Sequence, residues 1–532
     1  MNKLAQYLNQ HLIGEVIVDQ SVLEQLSVDN SPLTITPEMI AYPRNTNDVR
    51  KLLRFSWQLA EKGHKLPVTP RGAGTDTTGG AIGSGVIISL STYMDHVFEF
   101  DSKQRLVRLQ PGATVATLQD SLSLYSVNVP ELANVDRAST IGGTIASRRT
   151  DSDSDGWIDQ LEVVLANGDL LQTKRLSKRE LNKIKGKQTF EADIYRGIDG
   201  LIDENKDLIQ EIDELNVAGY SALKYVKRKD GSLDLAPLLL ASQGTLGIIS
   251  EMIIKAEVAP QTQGAVVALF SDEAAARDAI DGIEKIGVSS LEYFDKNTLS
   301  RIFDTGKKLG YSDEETEGFQ ALLTTQFDGT SRTVQKKIKK LTKHFTQFNA
   351  NVKSTDTLST SELVGVTTFS SLSAQVESRD QASIPIADGV YVTLDRLGQF
   401  SEGLSQLAQK FKIDLPLYGR PFDGIWYIRP FLNLKTVGGK QNVFKLTDEI
   451  ALLVQRCGGY LNGVHAEGRT QSYSSHKSFD PEIVALYAAV KNIFDPHNIL
   501  NSGVKQPTEL RDLAANLRSG YRSNHSDGLS RF

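Results

Sequence analysis

Apolar positions near the start of the chain follow two periods, and each period predicts a different element. Between residues 46 and 62 they recur every three or four positions, which is the spacing of an amphipathic helix with Thr46 or Asn47 as its N-cap. Short apolar runs bounded by Gly, Pro or Asn predict strands. These runs lie at residues 39–43, 66–70, 86–90, 106–112 and 161–169.

The predicted strand at residues 161–169 contains Asn167 and Gly168, a pair that favours the tight turn of a β-hairpin. The hairpin continues into residues 170–173, and residues 114–123 are predicted to be helical. Up to about residue 258, strands and helices therefore mix as they do in an α+β domain.

A second α+β unit is predicted after Pro260, where strands and helices alternate. We expect its strands to form an antiparallel sheet that carries helices on one side. The predicted strands are residues 265–270, 322–327 and 391–394, and the predicted helices are residues 273–286 and 333–345.

The two ends of the chain differ from these units. Residues 1–36 look helical and then loop-like, which predicts an N-terminal extension. Residues 507–532 are rich in Ser, Arg, Asn and Gly and contain few large apolar residues, so we expect a disordered tail. A docking segment for a partner protein is the alternative interpretation of this tail.

Composition limits the class of protein. The 532 residues are too many for one ordinary core, so at least two domains are expected. The net charge of -6 provides no basic footprint for nucleic acid. A single cysteine, Cys457, excludes a disulfide within the chain and a thiolate metal cluster. No signal peptide is recognisable and no apolar run approaches the ~20 residues that cross a bilayer, which predicts a soluble, cytoplasmic protein.

The clearest motif is the run from Pro70 to Gly80, P-R-G-A-G-T-D-T-T-G-G, which follows a predicted strand. Its glycines permit tight or left-handed turns that point backbone N–H groups inward, and such a concavity suits an anion such as a pyrophosphate. The run is neither a Walker A loop nor a dinucleotide fingerprint that opens a helix. A simple tight turn is the alternative interpretation.

Two further loops, at residues 138–146 and 241–250, also place Thr beside Gly. Each of them alone is compatible with an ordinary turn. Three such loops in one α+β domain predict a single long ligand with several phosphates, held at several points.

Together with other segments, these loops resemble the FAD-binding family typified by D-lactate dehydrogenase, glycolate oxidase subunits and 2-hydroxyglutarate dehydrogenase. This family has the vanillyl-alcohol oxidase (PCMH-type) flavin fold. The resemblance covers about residues 20–506. The segments that carry it are residues 27–31, 42–49, 70–80, 109–114, 139–146, 244–249, 291–295, 322–329 and 493–503.

The resemblance implies an α+β fold with a two-subdomain PCMH-type FAD-binding domain at residues 37–258. After it come an α+β cap domain with an antiparallel sheet, at residues 259–479, and a return to the FAD domain, at residues 480–506. It also implies FAD as the cofactor, bound non-covalently because the first loop lacks the His that often forms the covalent link. The implied FAD-binding residues are Arg71, Gly72, Ala73, Gly74, Thr75, Asp76, Pro111, Gly112, Ser139, Thr140, Gly142, Gly143, Ile145, Gly247, Ile248, Ile249 and Asn501.

The chemistry implied by the resemblance is the oxidation of an alcohol, in which a hydride goes to flavin N5 and a base removes the hydroxyl proton. His465 matches the catalytic base of the family, and imidazole titrates in a useful range for that role. A histidine retained on a loop for structural reasons is the alternative interpretation.

Many members of the family also bind a metal in the cap, through two runs that contain His and Glu ligands. In this chain Arg420, Tyr427 and Val464 stand at those ligand positions, so no divalent metal is predicted. Arg420 is instead a candidate for holding an anionic substrate, with a salt bridge to Asp423 as the alternative. Tyr427 is included as a candidate catalytic residue, and strand packing is its alternative role.

Two departures from the family stand out. Residues 147–156 are polar and charged where relatives have a Gly-rich stretch close to the flavin. The family's carboxylate-binding arginine has no clear counterpart, and Arg379 is only a candidate for it.

We therefore predict an FAD-dependent dehydrogenase or oxidase that acts on the CH–OH group of a small 2-hydroxy acid such as D-lactate or glycolate, without a metal. A sugar, alditol or lactone oxidase on the same fold is one alternative. A non-catalytic flavin-binding subunit of a complex is another. The expected partners are a small-molecule substrate, an electron acceptor of unknown identity and, for the last hypothesis, another protein.

Overall fold

The computed structural model describes residues 3–133, 135–148, 156–359, 361–363, 365–366, 369 and 381–522, which form two units. Unit 1 contains the chain up to Val258 and the later segment Val464–Arg518, whereas unit 2 contains Ala259–Gly463 and residues 519–522. The boundary between the two units follows Val258. The return to unit 1 begins at Val464 instead of residue 480, because the backbone of residues 465–466 pairs with residues 147–148.

In the part of unit 1 up to Val258, strands and helices are mixed along the chain. Its strands are β1 (Glu15–Ile17), β2 (Met39–Tyr42), β3 (Val68–Arg71), β4 (Val86–Ser89), β5 (Val97–Asp101), β6 (Leu106–Leu109), β7 (Val127–Asn128), β8 (Ile158–Val164), β9 (Leu170–Gln172), β10 (Ile248–Lys255) and β11 (Glu257–Val258). Its helices before Val258 are α1 (Lys3–His11), α2 (Gln20–Leu26), α3 (Thr46–Glu61), α4 (Val115–Ser123), α5 (Ile141–Ser147), α6 (Lys178–Lys185), α7 (Phe190–Glu204), α8 (Lys206–Glu211), α9 (Leu223–Val226) and α10 (Ala236–Leu239). A 3₁₀ turn also forms at Pro130–Leu132.

One sheet of unit 1 has four strands in the order β1-β2-β4-β3, and its last three strands run parallel. Every residue of β2 and β4 is buried, as expected for parallel strands that are covered on both faces. Strand β1 pairs antiparallel with β2 at the edge. Part of the predicted N-terminal extension is therefore an integral strand of unit 1.

The other large sheet of unit 1 is antiparallel and has the order β5-β6-β10-β8-β9. Strands β8 and β9 form the predicted hairpin, and Gly168 in its turn has a φ of 84°. A short pair, β7 with β11, lies outside both sheets. The sheets and helices together confirm the predicted α+β class.

Helix α3 begins at Thr46 but is capped by the residue before it. The side chain of Asn45 accepts a hydrogen bond from the N–H group of Asp48 at 3.1 Å. The prediction of Thr46 or Asn47 as the N-cap is therefore wrong. Both alternatives are capping residue types, so composition alone does not distinguish these adjacent positions.

Unit 2 continues the chain with nine strands and the helices that cover them, counted over the described residues. Its strands are β12 (Thr262–Phe270), β13 (Ser290–Asp295), β14 (Ala321–Gly329), β15 (Asn351–Ser354), β16 (Ala382–Ser383), β17 (Ala387–Tyr391), β18 (Leu417–Arg420), β19 (Ile425–Ile428) and β20 (Phe431–Leu432). Its helices include α11 (Glu273–Asp278), α12 (Lys296–Asp304), α13 (Ser331–Thr346), α14 (Leu397–Phe411) and α15 (Val437–Arg456).

Seven of these strands form one sheet in the order β15-β12-β14-β13-β18-β19-β17, and each neighbouring pair is antiparallel. The predicted antiparallel sheet is confirmed, but helices cover both of its faces. Leu269 shares a core with Ile302 of α12, whereas the next residue, Phe270, packs edge-to-face on Phe345 of α13. Successive strand residues point to opposite faces, so the expectation of helices on one side is wrong.

Two predicted elements of unit 2 are shorter or shifted in the structure. The helix predicted at residues 273–286 ends at Asp278 and gives way to a 3₁₀ turn at Glu284–Ile286. Gly282 lies between them with a φ of 88°, a left-handed conformation that interrupts a helix. The strand predicted at residues 391–394 is β17, which ends at Tyr391, and a 3₁₀ turn follows at Leu394–Arg396.

The chain returns to unit 1 through α16 (Ser472–Lys477), α17 (Pro481–Phe494) and α18 (Leu510–Ala515). The prediction of a disordered tail is therefore wrong for residues 507–518. Leu513 and Leu517 are buried, and a guanidinium N–H of Arg518 donates hydrogen bonds to the backbone oxygens of Asp29 and Ser31. A few well-spaced apolar residues are enough to dock this short segment, and residues 523–532 lie outside the described residues.

Candidate functional site

The loop after β3 contains a row of backbone N–H groups that point to no acceptor in the protein. Within the described residues, the N–H groups of residues 72–77 donate no hydrogen bond. Gly74 has a φ of 72°, a left-handed conformation that glycine adopts at little cost. Successive N–H groups around such a residue form a concavity that binds anions. The loop therefore offers donors of the kind that a pyrophosphate accepts.

Asp76 closes the far end of this loop. Its carboxylate accepts hydrogen bonds from the N–H groups of Thr78 at 3.0 Å and Gly80 at 2.6 Å. Burial, reinforced by the nearby carboxylate of Asp29, raises the pKa of Asp76 to about 6. The side chain thus shapes the loop, and its charge changes within an accessible pH range.

Arg71, at the near end of the loop, is a buried supporting residue. Its guanidinium donates to the backbone oxygens of Ala81 at 3.0 Å and Val28 at 2.8 Å. These bonds connect the loop to the N-terminal segment of unit 1. Arg71 holds the loop in shape through these contacts.

The second predicted loop is the turn into α5. The N–H group of Gly142 donates to the backbone oxygen of Pro111 at 2.9 Å, and a Cβ at position 142 would collide with the Pro111 ring. The hydroxyl of Thr140 caps the helix by accepting from the N–H group of Gly143. Gly112 is equally confined, because its missing Cβ would meet backbone atoms.

The first and second loops lie against each other. The hydroxyl oxygens of Thr75 and Ser139 are 2.9 Å apart. A Cβ added at Gly72 would collide with Oγ1 of Thr140. The glycine at position 72 is therefore required for this close approach.

The third loop is fully buried from residue 241 to residue 250. The N–H group of Gln243 donates to the backbone oxygen of Ala146 at 2.7 Å, at the end of α5. Gly244 has a φ of 70°, and a Cβ there would collide with the ring of Pro70. The third loop therefore contacts both the first loop and the second.

Asn501 joins the C-terminal return to these loops. Its buried amide nitrogen donates to the backbone oxygens of Gly80 at 2.8 Å and Gln243 at 2.7 Å. Its Oδ1 accepts from the hydroxyl of Thr69 at 3.2 Å. One side chain thus holds the first and third loops together.

Several predicted FAD-binding residues support the loops from within the core. Ile145 and Ile248 are fully buried members of the apolar cores of unit 1. Ile249 is also a buried core residue, and Gly247 is confined by the side chain of Val163. These side chains pack against the protein itself, so they position the loops rather than present polar groups.

The sequence prediction missed two residues that hold the loops. Gln243 donates through Nε2 to the hydroxyl of Thr78 at 3.0 Å and accepts through Oε1 from the N–H group of Gly468. Lys491 is buried and donates to the backbone oxygen of Thr245 at 2.8 Å. Gln243 lies inside a loop that the prediction recognised, whereas Lys491 lies on a helix and has no local signal.

His465 lies in unit 1, beside the second and third loops. It forms an antiparallel bridge with Arg148, and the next N–H group, of Ala466, donates to the backbone oxygen of Ser147 at 2.9 Å. His465 as a whole is half-buried. His465 therefore lies in unit 1, whereas the predicted cap domain, residues 259–479, included it.

Arg420 and Tyr427 lie in unit 2, on the paired strands β18 and β19. Nε of Arg420 is 2.7 Å from Oδ2 of Asp423, so the salt bridge named as the alternative is present. Burial opposes the charge of Arg420, but Tyr427 and Asp423 outweigh it and raise the guanidinium pKa. The ring of Tyr427 stacks on Tyr418 with the centroids 4.9 Å apart.

A second ion pair lies near these residues, and no pattern in the sequence indicates its partner choice. Arg429 donates to both carboxylate oxygens of Asp388, at 2.9 Å and 2.6 Å. Asp388 is buried and Arg429 is half-buried; burial opposes the charge of Arg429, but Asp388 outweighs it and raises the guanidinium pKa. The pair joins β17 to the end of β19, a contact that only the sheet order reveals.

Three other features bear on the predictions. Among the described residues, no group of three or more His, Cys, Asp or Glu side chains is arranged to hold a metal ion. In the same part of the chain, each helix is too short or too polar to cross a bilayer. Arg379 and residues 149–155 of the polar segment lie outside the described residues.

Family comparisons match both parts of the chain. Residues 37–174 match the FAD binding domain family. Residues 259–504 match the family described as FAD linked oxidases, C-terminal domain.

The chain is 26% identical to a D-2-hydroxyglutarate dehydrogenase of Pantoea ananatis over 93% of its own length and 50% of that protein. It is 25% identical to glycolate oxidase subunit GlcD of Bacillus subtilis over 88% of each chain. Among solved structures, it matches 4-ethylphenol oxidase from Gulosibacter chungangensis with a TM-score of 0.65 and 15% identity, over 95% of this chain and 97% of the other. That structural likeness shows the fold alone. The chain spans about half the length of the D-2-hydroxyglutarate dehydrogenases that it matches with 24–26% identity.

Proposed function

Since the chain belongs to the FAD-linked oxidases, we propose that it oxidises the hydroxyl group of a small 2-hydroxy acid while its unit 1 holds FAD. The observation that carries this proposal is the row of unsatisfied N–H groups at residues 72–77. The names of the relatives support the substrate class, since they are dehydrogenases or oxidases of 2-hydroxyglutarate, D-lactate and glycolate.

The residues of unit 1 fit a dinucleotide with a pyrophosphate. Residues 72–76 supply N–H donors, and Gly72 and Gly74 leave room and conformational freedom for a close approach. Ser139 and Thr140 place hydroxyl groups beside them. We expect a non-covalent complex, in which FAD supplies the hydride acceptor.

His465 is our candidate for the base that removes the hydroxyl proton. His465 is half-buried, and the backbone at His465 and just after it is hydrogen-bonded to the end of α5 and to the third loop. Imidazole titrates close to neutral pH, where a general base is most effective. Such a group contributes about 10²- to 10⁴-fold to the rate of proton transfer.

Arg420 is our candidate for the residue that binds the substrate carboxylate. Its partner, Asp423, is 53% exposed, so water can solvate that carboxylate when a substrate anion takes its place beside Arg420. Arg429 is a poorer candidate, since its partner Asp388 is only 2% exposed and breaking a buried pair costs about 3–5 kcal/mol. We propose that Tyr427, which lies beside Arg420, donates a further hydrogen bond to the substrate.

The test is anaerobic mixing of the purified protein with a panel of D- and L-2-hydroxy acids and alditols, with the flavin absorbance as the readout. We expect a yellow protein whose flavin is reduced by at least one 2-hydroxy acid and whose FAD is released by denaturation. The variant His465→Ala should slow this reduction by about 10²-fold or more. The matched control is His64→Ala, which removes an exposed histidine of unit 1.

Three outcomes would contradict parts of the proposal. A protein that stays colourless with excess FAD has no flavin site. Reduction by alditols alone, with peroxide formed in air, would replace the substrate class by that of a sugar or alditol oxidase. A bound flavin that no compound of the panel reduces would favour a flavin-binding subunit that acts with a partner protein.

A further inference from the structure

Two opposite charges, Glu467 and Lys505, are completely buried in unit 1. Glu467 lies two residues after His465 in the chain. Nζ of Lys505 lies 2.8 Å from Oε2 of Glu467, and both side chains are 0% exposed. Oε1 of Glu467 accepts from the N–H group of Gly219 at 2.9 Å. The imidazole Nε2 of His476 is 3.6 Å from the same oxygen.

A pair of this kind does not need to be present for stability. Removing two charges from water is costly, and well-packed apolar residues often stabilise a fold equally well. Tyr220 and Tyr487 are buried close by and provide an aromatic surrounding that would accept such apolar residues. The cost of burial therefore calls for another role of the pair.

The segment that carries Glu467 is connected to all three flavin loops. Ala466 donates its N–H group to the backbone oxygen of Ser147, the residue directly after the second loop, and Arg469 donates its own to Thr78 of the first loop. Gly468 donates to the Gln243 side chain of the third loop. These contacts hold the backbone from one side, while the Glu467 side chain holds it from the core.

The carboxylate of Glu467 is charged at neutral pH. Burial opposes ionisation of Glu467, but Lys505 and His476 outweigh it and lower its pKa to about 2. Burial lowers the pKa of Lys505, and Glu467 counteracts this. The charged carboxylate therefore joins the segment after His465 to Lys505 of the C-terminal return.

We propose that Glu467 and Lys505 are positioning residues that set the orientation of His465 relative to the flavin loops. This inference rests on the proposed role of His465. Glu467 fixes the backbone two residues after the imidazole, and Lys505 fixes Glu467 from the C-terminal return. A displacement of a catalytic group by about 1 Å reduces rates by about 100-fold, so a tether of this strength has a functional consequence.

The test uses Glu467→Gln, Lys505→Met and the double variant of the full-length protein loaded with FAD. Each single variant leaves one buried group unpaired, whereas the double variant leaves neither charge. The matched control is Asp199→Asn, which removes the carboxylate that pairs with Lys185 and Lys227 in another part of unit 1.

Two readouts are needed beside stability. The first is the rate of anaerobic flavin reduction at saturating 2-hydroxy acid, together with the apparent substrate Kd. The second is the chemical shift and titration of the His465 ring by NMR, assigned with His465→Gln. The NMR readout requires no turnover.

We expect Glu467→Gln and Lys505→Met to reduce the flavin-reduction rate by about 10- to 100-fold with little change in substrate Kd, and to shift the His465 titration. The double variant should regain stability but not the rate. Asp199→Asn should lose stability and keep both His465 readouts. Lys505→Arg, which retains the charge, should restore most of the rate.

The proposal is overturned if the folded double variant reduces its flavin at the wild-type rate with an unchanged His465 titration. The pair would then have only a structural role. If no hydroxy acid reduces the wild-type flavin, the proposed function fails instead, and the NMR titration alone decides whether the pair positions His465.

Discussion

At the scale of single residues, the flavin loop depends on a backbone conformation that only glycine adopts at little cost. Gly74 lies among the free N–H groups with a φ of 72°, and Gly63 has a similar φ of 81° in an open turn after α3. The two glycines share the same conformational requirement, but only Gly74 is close to the proposed anion site. Replacing Gly63 should therefore reduce only the stability of the fold, whereas replacing Gly74 should also weaken the binding of FAD.

We predict that Gly74→Ala weakens FAD binding by about 10-fold or more, since the strained residue disturbs the N–H groups around it. Gly63→Ala should cost a similar ~1–2 kcal/mol of stability and leave the FAD Kd unchanged. Fluorescence titration with FAD and urea unfolding measure the two effects. Equal FAD affinities of the two variants would argue against the loop as the pyrophosphate site.

The ionisation of Asp76 predicts a pH dependence of FAD binding. The pKa of Asp76 is raised to about 6 from an ordinary value of 3.8. The folded protein therefore binds this proton more tightly than the unfolded chain does. The resulting stabilisation is fully present below pH 3.8 and is lost as the pH rises through about 6. Above that pH the carboxylate is charged and repels a bound pyrophosphate. We expect the FAD Kd to rise about 3- to 10-fold between about pH 5 and pH 8.

The variant Asp76→Asn should flatten this pH profile, because its side chain cannot ionise. The control Asp159→Asn removes an exposed carboxylate of the same unit and should leave the profile as in the wild type. A profile that is equally steep in Asp76→Asn would assign the pH dependence to another group.

At the scale of elements, the start of helix α3 depends on one residue, the N-cap Asn45. Asn45 is the N-cap, and Asp48 in the first turn accepts from the N–H groups of Ile13 and Gly14 at 2.9 Å each. The helix start therefore also holds the segment that leads into β1. The apolar period located this helix within one residue at either end, but the choice of cap depended on the backbone geometry of Asn45.

We predict that Asn45→Ala lowers the free energy of unfolding by about 1 kcal/mol, because a helix N–H group loses its acceptor. Asn47→Ala, one helical position inside, should change it by less than about 0.5 kcal/mol. Urea unfolding followed by tryptophan fluorescence compares the two variants. Equal losses would show that Asn45 is not the dominant cap.

At the scale of the whole molecule, the C-terminal segment completes unit 1. Leu517 bridges to Leu33, and Arg518 donates to the backbone oxygens of Asp29 and Ser31, near the N-terminal segment that also contacts the first loop. Asn30 donates its N–H group to the backbone oxygen of Gly74 in that loop. The segment predicted to be a disordered tail is thus connected to the proposed FAD site through a few contacts.

We predict that a chain ending at residue 506 binds FAD more weakly and melts at a lower temperature than a chain ending at residue 518. Both chains lack residues 519–532, so the difference reports on residues 507–518 alone. The physical reason is the loss of two buried leucines and of the Arg518 bonds, which together are worth about 3 kcal/mol or more. Identical melting curves would contradict a structural role of α18.

The sequence alone determined those features that depend on neighbouring residues. The period of apolar positions located α3, α4 and α13, the Asn-Gly pair located the β8–β9 hairpin, and the Gly-Thr loops indicated a dinucleotide site. The resemblance carried by these loops identified the family and its cofactor. Local backbone preferences and side-chain periodicity are properties of short segments, so a single sequence reveals them.

Only the tertiary structure decided which distant residues meet and which charges are buried. The pairs Glu467–Lys505 and Arg429–Asp388, and the bonds from Asn501 to the first and third loops, join segments far apart in the chain. The tertiary structure also places His465 in unit 1, together with residues 507–518 of the predicted tail. Burial and partner choice depend on the packing of the whole chain, so no local pattern contains them.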